Sequence, residues 1–394
     1  RIGIIGTGVA GSVLAEMLAD APGITVEAFD RMTEGDASEA GTGLNVGPNA
    51  MKALRLHLPK RHEAARAASL PWQHWFIETS RGERLFDLDL LDVADETGIR
   101  LRWSELYRVL REPVAPMTRR GLTLEGLEQD AAGRPVPVLK DGTGGLHRFG
   151  GFDLLVAGDG RYSRLRALTL GVPKPEFHGI AMTRLLVPDA HDCPYEEYGQ
   201  WFEGHARLLA YRLPGGAAYI AGAIPLASPE AEIAPEMRTP DYQGRLYMPK
   251  DGEACPAVAG MSRKLAEMVD DIHWARLQVS PLARSAMDGR VLFLGDSAHA
   301  MVPTLGQGAT QAIEDGVIAG AVLRAGGDVA QIGALRDERI EFIRRFSLEA
   351  SDTMMPWGDP IEGSRRKSRP EFLAKLRRMY TEVPGPEAFA SLAA

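Results

Sequence analysis

The chain has 394 residues, with 45 Lys and Arg against 53 Asp and Glu, a formal net charge of −8 and 45% hydrophobic residues. That length predicts two closely packed domains around more than one core. A mildly acidic chain without a polybasic cluster lacks the electrostatic footprint for nucleic acid or an anionic membrane surface, and no apolar run is long enough to span a bilayer.

Arg1 to Gly6 reads as a buried strand, with Ile2 to Ile5 as its apolar run. No signal-peptide pattern is found there, so the expected location is cytoplasmic. Gly6-Thr7-Gly8-Val9-Ala10-Gly11 follows, then Ser12 to Ala19 with helical apolar spacing at Val13, Leu14, Met17 and Leu18. Pro22-Gly23 ends that helix, and Ile24 to Phe29 gives a second strand that stops at Asp30. Strand, glycine turn, helix, strand is the unit that builds a parallel sheet. Asp36 to Asn49, rich in Gly, Ser, Thr and Asn, reads as a long loop.

Phe152 to Ala157 is another apolar strand, ending at Gly158-Asp159-Gly160. From Ile180 to Ile224 the texture changes: Arg207 to Arg212 and Ala217 to Ile224 suggest antiparallel strands around a turn at Pro214-Gly215-Gly216. Asp251 to Val279 is more helical and polar. Val291 to Leu294 returns to a buried strand, followed by a helix from about Ala309 to Leu323. The tail beyond Glu338 reads as helical, with a break at Pro356-Trp357-Gly358.

Parallel-sheet signals thus sit at the start, near residue 155 and near residue 292. The expected fold class is α/β, with a Rossmann-like dinucleotide domain over residues 1–71, 98–178 and 280–345. A β-sheet substrate domain over 72–97 and 179–279 is inserted into it, and 346–394 forms a C-terminal helical segment. Cys193 and Cys255 lack metal-type spacing, so two reduced thiols and no metal site are expected.

The GxGxxG stretch lies directly after a strand and opens a helix. Gly6 permits the tight turn, Gly8 lets the backbone approach a pyrophosphate, and Gly11 allows close helix–strand packing. The helix N-terminus offers free N–H groups and a positive dipole end to phosphates. Asp30, at the end of the second strand, is placed to accept from a ribose. This motif alone does not separate NAD from FAD.

Two later stretches do: Gly158 to Arg166, and Gly295-Asp296-Ser297-Ala298-His299-Ala300-Met301-Val302-Pro303 with Gly306-Gln307-Gly308 and Glu314-Asp315. With them the chain resembles the FAD-dependent aromatic hydroxylases of the p-hydroxybenzoate hydroxylase group. The resemblance implies a single-component monooxygenase in which NADH or NADPH reduces FAD and O₂ gives a flavin hydroperoxide. It implies that Asp296 holds the ribityl hydroxyls and that Pro303 sits over the flavin ring. Amides at Gly306-Gln307-Gly308 and Ala309 would face the pyrimidine end, where charge develops on reduction. Asp159 would contact FAD and Arg166 would help receive the nicotinamide. Helix N-capping is the plainer alternative for Asp159 and Asp296. His299 is placed as either a structural residue or an acid–base group. The expected cofactor set also takes in Val9, Ala10, Arg31, Gly43, Leu44 and Arg102. Arg102 stands in for a family Arg whose place, before Leu106 and Leu110, is held by Trp103.

The middle of the chain resembles pyridine-ring oxygenases of that group, such as 2-methyl-3-hydroxypyridine-5-carboxylate oxygenase, where an Arg and a Tyr on neighbouring strands bind the substrate. Arg207 and Tyr219 stand at the same mutual spacing, and Thr183 to Pro188 also has its counterpart, including Arg184. The implied substrate is a small aromatic or heteroaromatic acid. Arg207 would hold its carboxylate by a bidentate fork, Tyr219 would serve binding and catalysis beside Pro303, and Trp72 would form an aromatic wall together with Trp75. The plainer alternatives are a surface place for Arg207 and a core place for Tyr219 and Trp72, with His205, Tyr211 and Arg212 close enough to take over. A monomer or homodimer is expected. The rivals are an epoxidase, halogenase or reductase on the same fold, a non-catalytic flavin-binding protein, and an NAD-dependent dehydrogenase. The halogenase motif WxWxIP is absent.

Overall fold

The computed structural model describes residues 1–33 and 42–392. Six strands form one mixed sheet, with Ile2–Ile5 near its centre. That strand pairs in parallel with Val26–Phe29 on one side and Leu154–Ala157 on the other, and Leu154–Ala157 pairs in parallel with Val291–Phe293. The central strands are apolar throughout because helices cover both faces of such a sheet.

The helix Val9–Leu18 is buried at nearly every position. It lies between the sheet and the helix Gln307–Arg324, and glycines set that approach. A methyl group at Gly316 would lie 2.7 Å from Val13 Cβ, and one at Gly320 would lie 2.4 Å from Met17 Cβ. A methyl at Gly11 would sit 2.0 Å from Gly6 O, so the first turn packs on the strand only with glycine there.

A second, seven-stranded sheet runs in the order His273–Val279, Glu176–Val187, Ala218–Pro225, Ala206–Arg212, Tyr198–Glu203, His74–Thr79, Arg84–Asp89. All neighbours are antiparallel except Tyr198–Glu203 with His74–Thr79. Its two faces differ. Leu185, Leu208, Ala210 and Ile220 pack against the helix Pro256–Glu267. Met182, Leu209, Tyr211, Tyr219 and Ala221 pack instead with Met301, Val302 and Leu305 and with the C-terminal helices.

Some expectations fail in particular places. The stretch expected as a loop from Asp36 to Asn49 lies partly outside the described residues, at 36–41. Gly43–Val46 is instead a strand, paired with Gly98–Arg102, and Pro48 already opens the helix Pro48–His57. Trp72 and Trp75 sit on different strands, Leu70–Trp72 and His74–Thr79, in different sheets. His273–Val279, expected to be helical, is an edge strand in which Leu277 alone is fully buried, so little strand alternation shows in its sequence. A three-stranded meander, Thr123–Gln129, Pro135–Lys140 and Leu146–Arg148, was not anticipated. Both cysteines are free, and no helix among the described residues is long and apolar enough to cross a membrane.

Candidate active site

The three glycine-bearing turns meet at the C-terminal ends of neighbouring parallel strands. Gly6 N–H donates to Phe29 O, Gly158 N–H to Ile5 O, and Leu294 N–H to Ala157 O. Gly6 has φ +89, and a methyl there would lie 2.7 Å from Asp159 Cα, so the first two turns touch through bare backbone. Gly8 caps the helix Val9–Leu18 without a side-chain bond, which leaves the first-turn amides of Val9 and Ala10 to a ligand.

Asp30 is buried and turned into the glycine loop. One carboxylate oxygen accepts from Thr7 N (2.7 Å) and Thr7 Oγ1 (2.6 Å), and the other from Met32 N (2.9 Å). Its observed role is therefore to brace the loop, with ribose contact limited to a remaining lone pair. Arg31 beside it is exposed.

The cation missing at Trp103 is supplied from elsewhere on the same helix, Trp103–Arg111. Trp103 stacks on Tyr107 (5.4 Å, 28°), and the Arg111 guanidinium lies 4.1 Å over the Tyr107 ring. Residues 103, 107 and 111 form one i, i+4 column. Arg111 Nε donates to Thr7 O at 2.8 Å, so the column carries a positive charge to the glycine turn. Arg102 instead ends a strand, in register with Gly43. Sequence reasoning passed over Arg111 because it lies two turns beyond the expected position.

Asp159 caps the helix Arg164–Leu170 with one oxygen, accepting from Arg164 N (2.8 Å) and Leu165 N (3.3 Å), while its other oxygen is buried with no partner. Burial raises its pKa. Asp296 opens a short helix and stays partly exposed, with Arg161 as its ion-pair neighbour at 3.9 Å. Arg166 departs from expectation. Its guanidinium donates to Ser297 O (2.9 Å), Ala298 O (3.3 Å) and Pro281 O (2.8 Å), clamping the Asp296–His299 turn from behind rather than facing a nicotinamide.

Gly306 has φ +66 and opens the helix Gln307–Arg324, with Gly308 and Ala309 in the first turn. A methyl at Gly306 would lie 2.2 Å from Asn45 Nδ2, a buried donor with no partner. Asn45 was missed because its segment read as loop. The Gln307 side chain is committed: Oε1 accepts from Asn49 Nδ2 (3.0 Å) and Gln311 Nε2 (2.9 Å). Leu44 packs in the core and Gly43 against Tyr219, where a methyl would lie 2.8 Å from Tyr219 Cβ. Pro303 is exposed on the loop between the two sheets.

Behind this loop lies a fully buried charge network. Arg336 donates to Asp315 (2.8 Å), Glu314 (2.7 Å) and Gln311, and Arg339 donates to Glu314 (2.8 Å). Asp315 also holds Gly295 N (2.8 Å) and His299 Nε2 (2.6 Å). Burial opposes ionisation of both acids, but the surrounding arginines and His299 outweigh it. Glu314 is lowered to about 2 and Asp315 well below its ordinary value. His299 is 1% exposed and faces this network, which favours the structural alternative over the acid–base one.

On the sheet face above the loop, Tyr198, Tyr211 and Tyr219 form a ladder across three strands, with ring centroids 5.5 and 5.1 Å apart. Trp72 lies 5.0 Å from Tyr198. Burial raises the Tyr219 hydroxyl to about 12. Arg207 is on the same face, four residues from Tyr211, and only 3% exposed. Among the described residues its Nε has no partner, and its ionisable neighbours are Tyr198, Tyr219 and Tyr247 rather than a carboxylate. Lys367, also buried, is close enough to Arg207 for the two charges to repel. Arg184 is exposed and pairs laterally with Ala221. Trp72, Trp75, Tyr198, Thr304, Leu305 and Tyr380 pack closely beside the Pro303 loop and leave no space that a water molecule would fill. His205 and Arg212 are engaged elsewhere, with Gly358 O and Tyr195 O.

Residues 254–328 match the family model described as an FAD binding domain. A 3-amino-4-hydroxybenzoate 2-monooxygenase of Streptomyces platensis is 27% identical over 94% of this chain and 92% of its own. A 6-hydroxynicotinate 3-monooxygenase of Bordetella bronchiseptica is 25% identical over 89% and 91%. A Klebsiella pneumoniae HpxO structure solved with FAD and uric acid shares the fold, with a TM-score of 0.75 and 22% identity over 100% of this chain and 95% of that one. These findings support an FAD-dependent aromatic hydroxylase of the p-hydroxybenzoate hydroxylase group. The matched FAD binding domain supports FAD as the cofactor. The residues fit that cofactor. The bare glycine turns leave room for a pyrophosphate, and the Asp159 oxygen and the Asn45 amide have no partner among the described residues.

Proposed function

We propose that this hydroxylase inserts one oxygen atom into the ring of a small hydroxylated or aminated aromatic or N-heteroaromatic carboxylic acid. NADH or NADPH supplies two electrons, and the second oxygen atom of O₂ leaves as water. The observation that carries the substrate class is Arg207, a guanidinium almost wholly removed from water whose Nε has no partner among the described residues. A buried charge left unpaired is costly, and a carboxylate ligand relieves it. Relatives named for 3-amino-4-hydroxybenzoate and 6-hydroxynicotinate support the same class.

FAD, when bound, supplies the redox and oxygen chemistry. Val9 and Ala10 amides and Arg111 would hold its pyrophosphate, Asp296 its ribityl chain, and the Gly306 to Ala309 amides its pyrimidine end. Pro303 lies between these groups and the tyrosine ladder. Tyr219 would orient the ring, and Arg184 would stand at the mouth. The apolar faces of Trp72, Leu305 and Met301 exclude water. In this reading residues 1–71, 98–178 and 280–345 bind FAD, 72–97 and 179–279 bind substrate, and 346–394 close the pocket. The test is a panel of hydroxylated benzoates and pyridine carboxylates added to the FAD-loaded enzyme. At least one should accelerate NAD(P)H oxidation several-fold and return a product heavier by one oxygen. Equal oxidation rates with and without every acid that binds would contradict the reading.

A further inference from the structure

The C-terminal segment shapes a cavity of about 490 Å³, within the size range of small-molecule pockets. Trp357 and Phe372 give its lining an aromatic part, and Lys367 gives it a buried charge. That side chain is 3% exposed, while the other charged groups of the lining are exposed or half-buried. An ammonium has three N–H donors. Among the described residues Lys367 finds two acceptors, both at long range: Ala350 O at 3.3 Å and Asp352 Oδ1 at 3.5 Å. Asp352 is also divided, because Arg366 donates to its other oxygen at 2.7 Å. Lys367 is thus buried with part of a counter-charge and with a donor left over.

The same segment meets the substrate sheet where Arg207 stands. Arg207 pairs laterally with Ala223, and Ala223 packs in one core with Met354 and Met355, just after Asp352. His205, two residues before Arg207, lies 2.9 Å through Nε2 from Gly358 O, next to Trp357 of the cavity. The two buried cations are near enough to repel each other. The Pro303 loop reaches the same place: Thr304 bonds Ser351, which stands between the Ala350 carbonyl and the Asp352 carboxylate that hold Lys367. Two buried cations beside one shared acid leave a positive surplus, which is costly away from water unless an anion joins them.

We propose that Lys367 is the second cation of the carboxylate site, so that one substrate carboxylate bridges Lys367 and Arg207. This rests on the aromatic-acid reading above. A carboxylate has two oxygens and enough lone pairs to accept from both groups, and its charge offsets the surplus. The bridge makes recognition of the acid depend on the C-terminal segment as well as on the sheet. It also sets the site against neutral amides of the same ring, which leave both cations without an anion.

The test compares dissociation constants on the FAD-loaded enzyme, followed by flavin fluorescence, for the three monohydroxybenzoates and 6-hydroxynicotinate, each against its primary amide. The wild-type enzyme should bind at least one acid on the order of tenfold or more tightly than its amide. Lys367→Met keeps the apolar stem and removes the charge. It should cut that acid preference on the order of tenfold while changing amide affinity by less than about twofold. Lys367→Gln, which can still donate to Ala350 O, should show the same loss and guards against a folding defect in the methionine variant. Because both cations act on one carboxylate, Lys367→Met combined with Arg207→Met should lose less than the product of the two single losses. A packing role would weaken acid and amide alike. If both Lys367 variants keep the wild-type acid preference, or weaken acid and amide equally, Lys367 is outside the site and the aromatic-acid reading stands on Arg207. If none of these acids binds the FAD-loaded wild type, the aromatic-acid reading falls and the bridge with it.

Discussion

Arg207 and Asp296 carry the two halves of the account. Arg207 is buried without a counter-charge among the described residues, so in the proposed reading its truncation removes a charge-assisted contact to a substrate carboxylate, an effect of about 2–5 kcal/mol. At about 1.4 kcal/mol per factor of ten, Arg207→Ala should weaken binding of the acid on the order of 30-fold or more. FAD content should not change, and Arg207→Lys should recover only part of the loss, because an ammonium cannot form the planar fork. Titration of flavin fluorescence reads this directly, and unchanged affinity would return Arg207 to a packing role. Asp296 is partly exposed and its ion-pair neighbour among the described residues is Arg161, at 3.9 Å, which leaves its carboxylate open to hydroxyl donors. Asp296→Ala should lower FAD affinity on the order of tenfold or more, since bonds to a charged acceptor are worth about 1.5–3 kcal/mol. Equilibrium dialysis of flavin would show it, and a variant that keeps FAD as tightly as wild type would remove Asp296 from the ribityl site.

At the scale of elements, the helix Gln307–Arg324 bears both the flavin-facing turn and the charge network behind it. Arg336 reaches Glu314 and Asp315 from the next helix, Val329–Glu349, and all three are fully buried. Arg336→Ala strands part of two carboxylate charges, and breaking such a network costs about 3–5 kcal/mol. Arg339, Arg284 and His299 remain as partners, so a loss near the lower figure is expected, seen as a fall of several degrees in melting temperature with weaker flavin retention. The network also sets an acid limit. The fold holds the Glu314 carboxyl down at about 2, against an ordinary value of 4.5 when unfolded. A depressed folded pKa gives stability that is fully present above the unfolded value and is lost as pH falls toward the folded one. Stability should therefore decline between roughly pH 4.5 and 2, and the decline should be shallower in Glu314→Gln. Denaturation curves across that window would check it. Much of this region was legible, because GxGxxG, the Gly158 to Arg166 stretch and Gly295 to Asp315 each follow a short apolar run. What was not legible depended on contacts between distant segments. Arg111 reaches the first turn only through a column of rings, and Arg166 is drawn behind the flavin loop by three carbonyls. Gly43–Val46 looked like loop because its pairing partner, Gly98–Arg102, is more than fifty positions away by numbering.

Across the whole molecule, the substrate sheet is closed from two sides. One face carries the helix Pro256–Glu267, and the other is covered by the Met301 to Leu305 loop and by the C-terminal helices. Tyr380, Met379 and Leu376 lie inside that cover, so the last helices belong to the pocket as much as the sheet does. This was outside the reach of sequence periodicity, which identifies a helix but not the sheet it lands on. The enclosure matches the chemistry, since water in the site would compete with the ring for activated oxygen. The most direct measurement is a turnover of the FAD-loaded enzyme with NAD(P)H, an accepted aromatic acid and isotopically heavy dioxygen, with the product analysed by mass spectrometry. The account predicts a ring hydroxyl carrying one heavy oxygen atom per NAD(P)H consumed. Reductant consumed to give only hydrogen peroxide, or a product whose new oxygen comes from water, would contradict it.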